Sequence, residues 1–108
     1  MATTPEGKVK NRLKTMLKQH GIWFYMPQAG PFGKAGIPDF ILIVEGKFVG
    51  VECKADKSKK PTPLQVIAME DIEKAGGKCF VVCDNDTQWE LERWIINVSN
   101  TKGKGVST

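Results

Sequence analysis

The chain predicts a mixed α/β fold: one mixed central β-sheet flanked by helices, in the order helix, strand, strand, strand, helix, strand, helix. Three observations predict it. Three segments place their apolar residues at helical intervals, and four short apolar runs are bounded by glycine, proline or Asp/Asn turn residues. Nothing resembling a linker or an internal repeat divides the 108 residues. A core of this size buries somewhat over ~60% of the surface that the unfolded chain exposes, enough for one domain. That single domain is expected over residues 1–108, with its core from about residue 5 to 98 and a loose tail over 100–108.

The first helix is well punctuated: Thr4 suits an N-cap, Pro5 the first helical position, and Val9, Leu13, Met16 and Leu17 follow helical spacing up to Gly21. Ile22 to Met26 is a short apolar and aromatic strand closed by Pro27. Gly30 to Gly36 is a glycine-rich loop without the Gly-Lys-Ser/Thr end of a phosphate-binding P-loop. Pro38 to Val44 is a strand, nearly all apolar after Asp39. Glu45-Gly46 turns it into a return strand over Lys47 to Lys54, making a hairpin. After the basic loop Ala55 to Pro61, Thr62-Pro63-Leu64-Gln65 opens a second helix with Leu64, Ile67, Ala68, Ile72 and Ala75 on its apolar face. Gly76-Gly77 stops it, and Lys78 to Cys83 is a strongly apolar strand. Thr87 with Glu90 has the spacing of a capping box for a last helix bearing Trp89, Leu91, Trp94, Ile95 and Val98.

Composition narrows the function classes. Sixteen basic against 12 acidic residues give a net charge of +4, compatible with a polyanionic partner without requiring one. Lysines load the first helix and crowd the loop at Lys54, Lys57, Lys59 and Lys60. Three cysteines without a CxxC and a single histidine, His20, argue against a disulfide framework and against a Cys/His zinc site. No apolar run reaches the ~20 residues that span a bilayer, and the polar, basic start is unlike a signal peptide. A reduced, intracellular and cytoplasmic setting is expected, a phage protein in a bacterial host included.

The chemistry is expected at the open end of the hairpin. Asp39 is a carboxylate at the mouth of a buried strand, costly unless paired or bound to a cation. Period-two alternation puts Glu52 and Lys54 on one face of the next strand, with Cys53 on the other. The tight turn can bring Asp39 and Glu52 together, where two carboxylates repel unless a positive charge sits between them. Mg²⁺ favours few carboxylates plus water and phosphate oxygens. A neighbouring lysine can orient a nucleophile or stabilise charge on a transferring phosphate. Each piece alone is commonly a solvated charge or a turn; their conjunction on adjacent strands is what points to a site.

Gly36-Ile37-Pro38-Asp39, Val51-Glu52-Cys53-Lys54 and Thr62-Pro63-Leu64-Gln65 together resemble the PD-(D/E)xK nuclease superfamily, and more narrowly its VRR-NUC (virus-type replication-repair nuclease) family. The resemblance runs from about Pro5 to about Val98. It implies a restriction-endonuclease-like core and a Mg²⁺- or Mn²⁺-dependent nuclease acting on DNA. It also implies Asp39, Glu52 and the backbone carbonyl of Cys53 as metal ligands, and Lys54 as the catalytic lysine. Gln65 would reach back to the site from the second helix, and Glu6 would match the family's N-terminal acidic residue. Gln65 has an equal alternative as the partner of Thr62 in a capping box. Glu6 has one as a carboxylate favoured at a helix N-terminus, although it shares the inward stripe of Val9, Leu13 and Met16. Similarity to archaeal Holliday junction resolvases implies a homodimer acting on branched DNA, with Trp89 and Trp94 of the last helix as the expected contact. Lys34, Lys57, Lys59 and Lys60 are the candidate nucleic-acid contacts. The rival expectations are a nuclease-fold module that binds nucleic acid without cutting it, and an assembly protein with coincidental charges.

Overall fold

The computed structural model describes residues 3–28 and 35–105. Seven elements follow one another: α1 (Pro5–Gln19), β1 (Trp23–Tyr25), β2 (Phe40–Val44), β3 (Lys47–Cys53), α2 (Pro63–Lys74), β4 (Lys78–Val82) and α3 (Asn85–Gly105). This is the predicted order. The strands form a single sheet, β1-β2-β3-β4. β1 and β3 are antiparallel to β2, whereas β4 is parallel to β3. A parallel neighbour cannot be reached through a tight turn, and α2 supplies the crossover.

Local chemistry sets the boundaries. Thr4 caps α1 by accepting a hydrogen bond from Gly7 N at 3.0 Å, and Pro5 occupies the first turn, where its missing N–H costs nothing. Between β2 and β3, Glu45 (φ 49°) and Gly46 (φ 80°) both take the left-handed conformation of a two-residue hairpin turn, which sets Val44 opposite Lys47. α2 opens with a capping box in which Thr62 Oγ1 accepts from Gln65 N and the Gln65 side chain accepts from Thr62 N. α3 begins earlier than the Thr87–Glu90 spacing predicts. Asp84 Oδ1 accepts from Thr87 N at 2.8 Å, and Thr87 Oγ1 accepts from Asp84 N at 3.1 Å. Asp84 is the cap and Thr87 the third helical residue, because an aspartate one turn earlier offers a better acceptor than a threonine hydroxyl. The α3 backbone stays helical to Gly105, past Val98, where the apolar spacing runs out.

The register divides the sheet into two unlike faces. Phe40, Leu42, Val44, Val49 and Val51 point to one side and are fully buried under Leu13 and Leu17 of α1 and Leu91 and Ile95 of α3. Each such side chain contributes roughly 1.5–3 kcal/mol of burial. Phe24 packs against Phe40 at 5.8 Å between ring centroids, and Phe80 meets Trp94 edge-on at 5.6 Å. The other face is covered by α2 only towards β3 and β4. Ile72 comes so close there that a Cβ on Gly77 would lie 2.6 Å from it, and one on Gly50 would lie 2.9 Å from Pro38. The apolar face expected for α2 is therefore only partly used: no residue of the helix is fully buried, and Leu64 and Ile67 are 55% and 53% exposed. One helix cannot cover a four-stranded face.

Candidate active site

The hairpin opens at the C-terminal end of β3, where the N-termini of α1 and α2 also arrive. Gly36 takes φ +85° and passes so near α2 that a Cβ would lie 2.5 Å from the Leu64 carbonyl oxygen. Only glycine permits both the conformation and the approach. That contact seats Gly36-Ile37-Pro38-Asp39 against the first turn of α2, with Pro38 fully buried. Asp39 Oδ2 then accepts a hydrogen bond from Cys53 N at 2.8 Å, tying the start of β2 to the end of β3.

Glu52 is 2% exposed. Its Oε2 lies 3.4 Å from Lys54 Nζ, while its Oε1 is buried with no hydrogen-bond partner among the described residues. Burial, chiefly, and the nearby Asp39 carboxylate lift its pKa to about 7 against the opposing pull of Lys54. A buried carboxylate oxygen without a donor is expensive. Among the described residues no donor meets this acceptor.

Lys54 leaves β3 with its backbone N–H on Val82 O at 3.0 Å and its ammonium group donating to Gln65 Oε1 at 2.9 Å. The same Gln65 oxygen accepts from Thr62 N at 2.8 Å. One oxygen thus caps α2 and also contacts the lysine.

Glu6 does not touch Glu52 or Lys54 directly. It meets Lys10 one helical turn on, with Lys10 Nζ 3.2 Å from Glu6 Oε2 and 3.6 Å from Asp39 Oδ1. Lys10 is the residue that sequence reasoning missed. Its one available signal was the i,i+4 spacing from Glu6 on the inward stripe of α1. Burial by itself would lower the Lys10 pKa, but the Asp39 and Glu6 carboxylates outweigh it and the net shift is upward.

Of the candidate nucleic-acid contacts, Lys57, Lys59 and Lys60 are exposed in the loop between β3 and α2. Asp56 shapes that loop by accepting from Ser58 N at 2.8 Å, and Lys57 Nζ lies 3.6 Å from Asp84 Oδ2. Lys34 falls outside the described residues. His20 pairs with Glu92 at 2.7 Å and links the C-terminal end of α1 to α3. Burial raises the thiol pKa of Cys53, and that of Cys79 to about 11, so both are neutral, inert thiols.

No protein-family profile and no curated protein matches the chain. Among solved structures, one described as a VRR_NUC domain superposes with a TM-score of 0.72 at 31% sequence identity, over 83% of this chain and 95% of that one. The chain belongs to the VRR-NUC family. The fold is accordingly that of a nuclease domain. In this VRR-NUC chain, no cluster of three or more His, Cys, Asp or Glu side chains suited to a metal occurs among the described residues. Asp39 and Glu52 are the two carboxylates at the end of the hairpin, with the Lys54 ammonium beside them. Among the described residues, no helix is long and apolar enough to cross a membrane.

Proposed function

We propose that this VRR-NUC domain is a Mg²⁺- or Mn²⁺-dependent endonuclease that hydrolyses DNA phosphodiester bonds, and that its catalytic residues are Asp39, Glu52 and Lys54. The observation that carries the reading is the buried Oε1 of Glu52, near Asp39 and without a partner among the described residues. Hard carboxylate oxygens, few in number, suit a small divalent cation that keeps water and phosphate oxygens as its remaining ligands. Asp39, Glu52 and the Cys53 backbone carbonyl would hold it. When bound, such an ion supplies Lewis-acid stabilisation of the phosphate and acidifies water.

The protein's own residues do the rest. Gln65 restrains the Lys54 ammonium at 2.9 Å, and that restraint gives the charge a fixed place beside the scissile group. Glu6 holds Lys10 beside Asp39, where the ammonium group offsets the carboxylate charge in the absence of an ion. Lys34, Lys57, Lys59 and Lys60 contact the DNA backbone, giving an affinity that falls with salt. The resolvase-like resemblance extends the proposal to branched DNA such as Holliday junctions, cut by a homodimer whose two-fold axis relates two sites.

The experiment is cleavage of matched junction, flap, nicked and duplex DNAs by wild type and Lys54→Ala, with Mg²⁺ or Mn²⁺ and with chelator. Metal-dependent cutting by wild type, strongest on branched substrates and lost in the variant, is expected. Salt-sensitive binding by both proteins with cutting by neither would establish a binding module instead.

A further inference from the structure

The basic charge of the chain is unevenly placed. α1 carries Lys8, Lys10, Arg12, Lys14 and Lys18 against a single acidic residue, Glu6. α2, by contrast, carries Glu70, Asp71 and Glu73 against Lys74. Lys10, Lys14 and Lys18 follow one another at i,i+4, so they form a row on one flank of α1. The other flank faces α3, since Arg12, Thr15 and Gln19 line a recess with Gln88 and Glu92. At about 100° per residue the lysine row is turned away from α3, on the side of β1, the outer strand of the sheet.

The row begins at the candidate active site. Lys10 Nζ lies 3.6 Å from Asp39 Oδ1, and each further lysine stands about 6 Å along the helix axis. Lys10 is held by Glu6 and Asp39, whereas Lys14 and Lys18 have no acidic partner within ion-pair distance among the described residues. Like charges at i,i+4 destabilise a helix. Lys18 is favoured by the dipole at the C-terminal end of α1. Lys14, mid-helix and partly buried, gains nothing from it.

We infer that Lys14 and Lys18 bind phosphates of the DNA strand that leaves the active site along α1. The inference rests on the proposed action on DNA and adds the path that the strand takes. Three arguments select a nucleic-acid backbone as the occupant. The row is cationic throughout, and a polyanion relieves the repulsion along it. It starts beside Asp39, so a strand with one phosphate at the site continues onto it. From Lys10 to Lys18 it spans about 12 Å. One strand places a negative charge every ~3.4 Å of helix axis, so the row faces about three to four consecutive phosphates. A small anion would meet only one of these lysines.

Fluorescence anisotropy of a labelled DNA duplex, titrated with the full chain in chelator over a range of salt, tests this. The double variant Lys14→Gln with Lys18→Gln keeps helix propensity. It should lower the slope of log affinity against log salt by about 1.4–1.8. In cleavage assays it should raise KM about tenfold and change kcat less than about twofold, with calorimetric Mn²⁺ uptake as in wild type. Lys47→Gln with Lys74→Gln removes the same charge at the β2–β3 turn and the C-terminal end of α2, and should leave slope and KM unchanged. A wild-type slope in the α1 variant would overturn the row. So would an equal loss of slope in both double variants, because DNA would then sense net charge alone. The expected slopes without cleavage by wild type would support the row and overturn the nuclease reading. A wild type that binds no DNA would overturn both.

Discussion

Lys54 and Gln65 are joined at 2.9 Å through an oxygen that also accepts the backbone N–H of Thr62. One side-chain atom thus serves the start of α2 and the position of the ammonium group, and the two roles can be separated. Thr62→Ala removes the hydroxyl that caps Gln65 N but leaves the Gln65 oxygen in place. It should cost about 1 kcal/mol of stability and change kcat less than twofold. Gln65→Ala should cost a similar amount of stability and lower kcat at least tenfold. Paired urea denaturation and cleavage assays of the two variants distinguish a lysine-holding residue from a cap alone.

Glu52 makes the metal-free protein sensitive to pH. Its pKa is lifted from 4.5 to about 7, first by burial and then by Asp39. A carboxyl whose folded-state pKa is raised holds its proton more tightly when folded. Its contribution is fully present below pH ~4.5 and is lost as the pH rises through ~7. The Tm of metal-free protein should therefore fall between pH 5 and 8, and Glu52→Gln should flatten that fall. Divalent-ion affinity should rise over the same interval, because the ion competes with the proton. Thermal melts in chelator across that range provide the check.

Lys10 places an ammonium group 3.6 Å from Asp39 Oδ1, where it competes with a second cation. Lys10→Met should bind Mn²⁺ more tightly, by about tenfold or ~1.4 kcal/mol, while the metal-free protein loses some stability. Calorimetric titration of the variant reads this directly. Weaker binding in Lys10→Met would mean that Lys10 orients Asp39 for the ion and does not compete with it.

Gly36 is the hinge of the approach to α2. Its φ of +85° and a clash of 2.5 Å between an added Cβ and the Leu64 carbonyl oxygen leave a side chain no room against backbone. Gly36→Ala should destabilise the fold by about 2 kcal/mol or more and reduce cleavage by displacing Asp39 from Gln65's helix. Chemical denaturation gives the first quantity. An alanine variant of wild-type stability would contradict the geometry of this turn.

The element order and the convergence of Asp39 with Glu52 and Lys54 were legible in the sequence because both follow from short-range rules. Alternation by two places Glu52 and Lys54 on one face, and a two-residue turn at Glu45-Gly46 brings back the start of β2. Long-range packing was less legible. The spacing of Glu6 and Lys10 is that of an ordinary solvated pair until β2 delivers Asp39 beside it. The helical spacing of Leu64 and Ile67 says which side of α2 is apolar but not whether anything covers it. The cap of α3 was misplaced because Asp84 and Thr87 both suit an N-cap, and the Thr87–Glu90 spacing drew the reading to the weaker acceptor.

The central claim is that Asp39 and Glu52 jointly hold one divalent cation beside Lys54. Titrating Mn²⁺ calorimetrically into wild type, Asp39→Asn and Glu52→Gln at pH 8 tests it most directly. One site per chain in wild type, with affinity lowered at least 100-fold in each variant and little changed in Lys54→Ala, is the expected result. No uptake by folded wild type, or equal uptake by all four proteins, would contradict it.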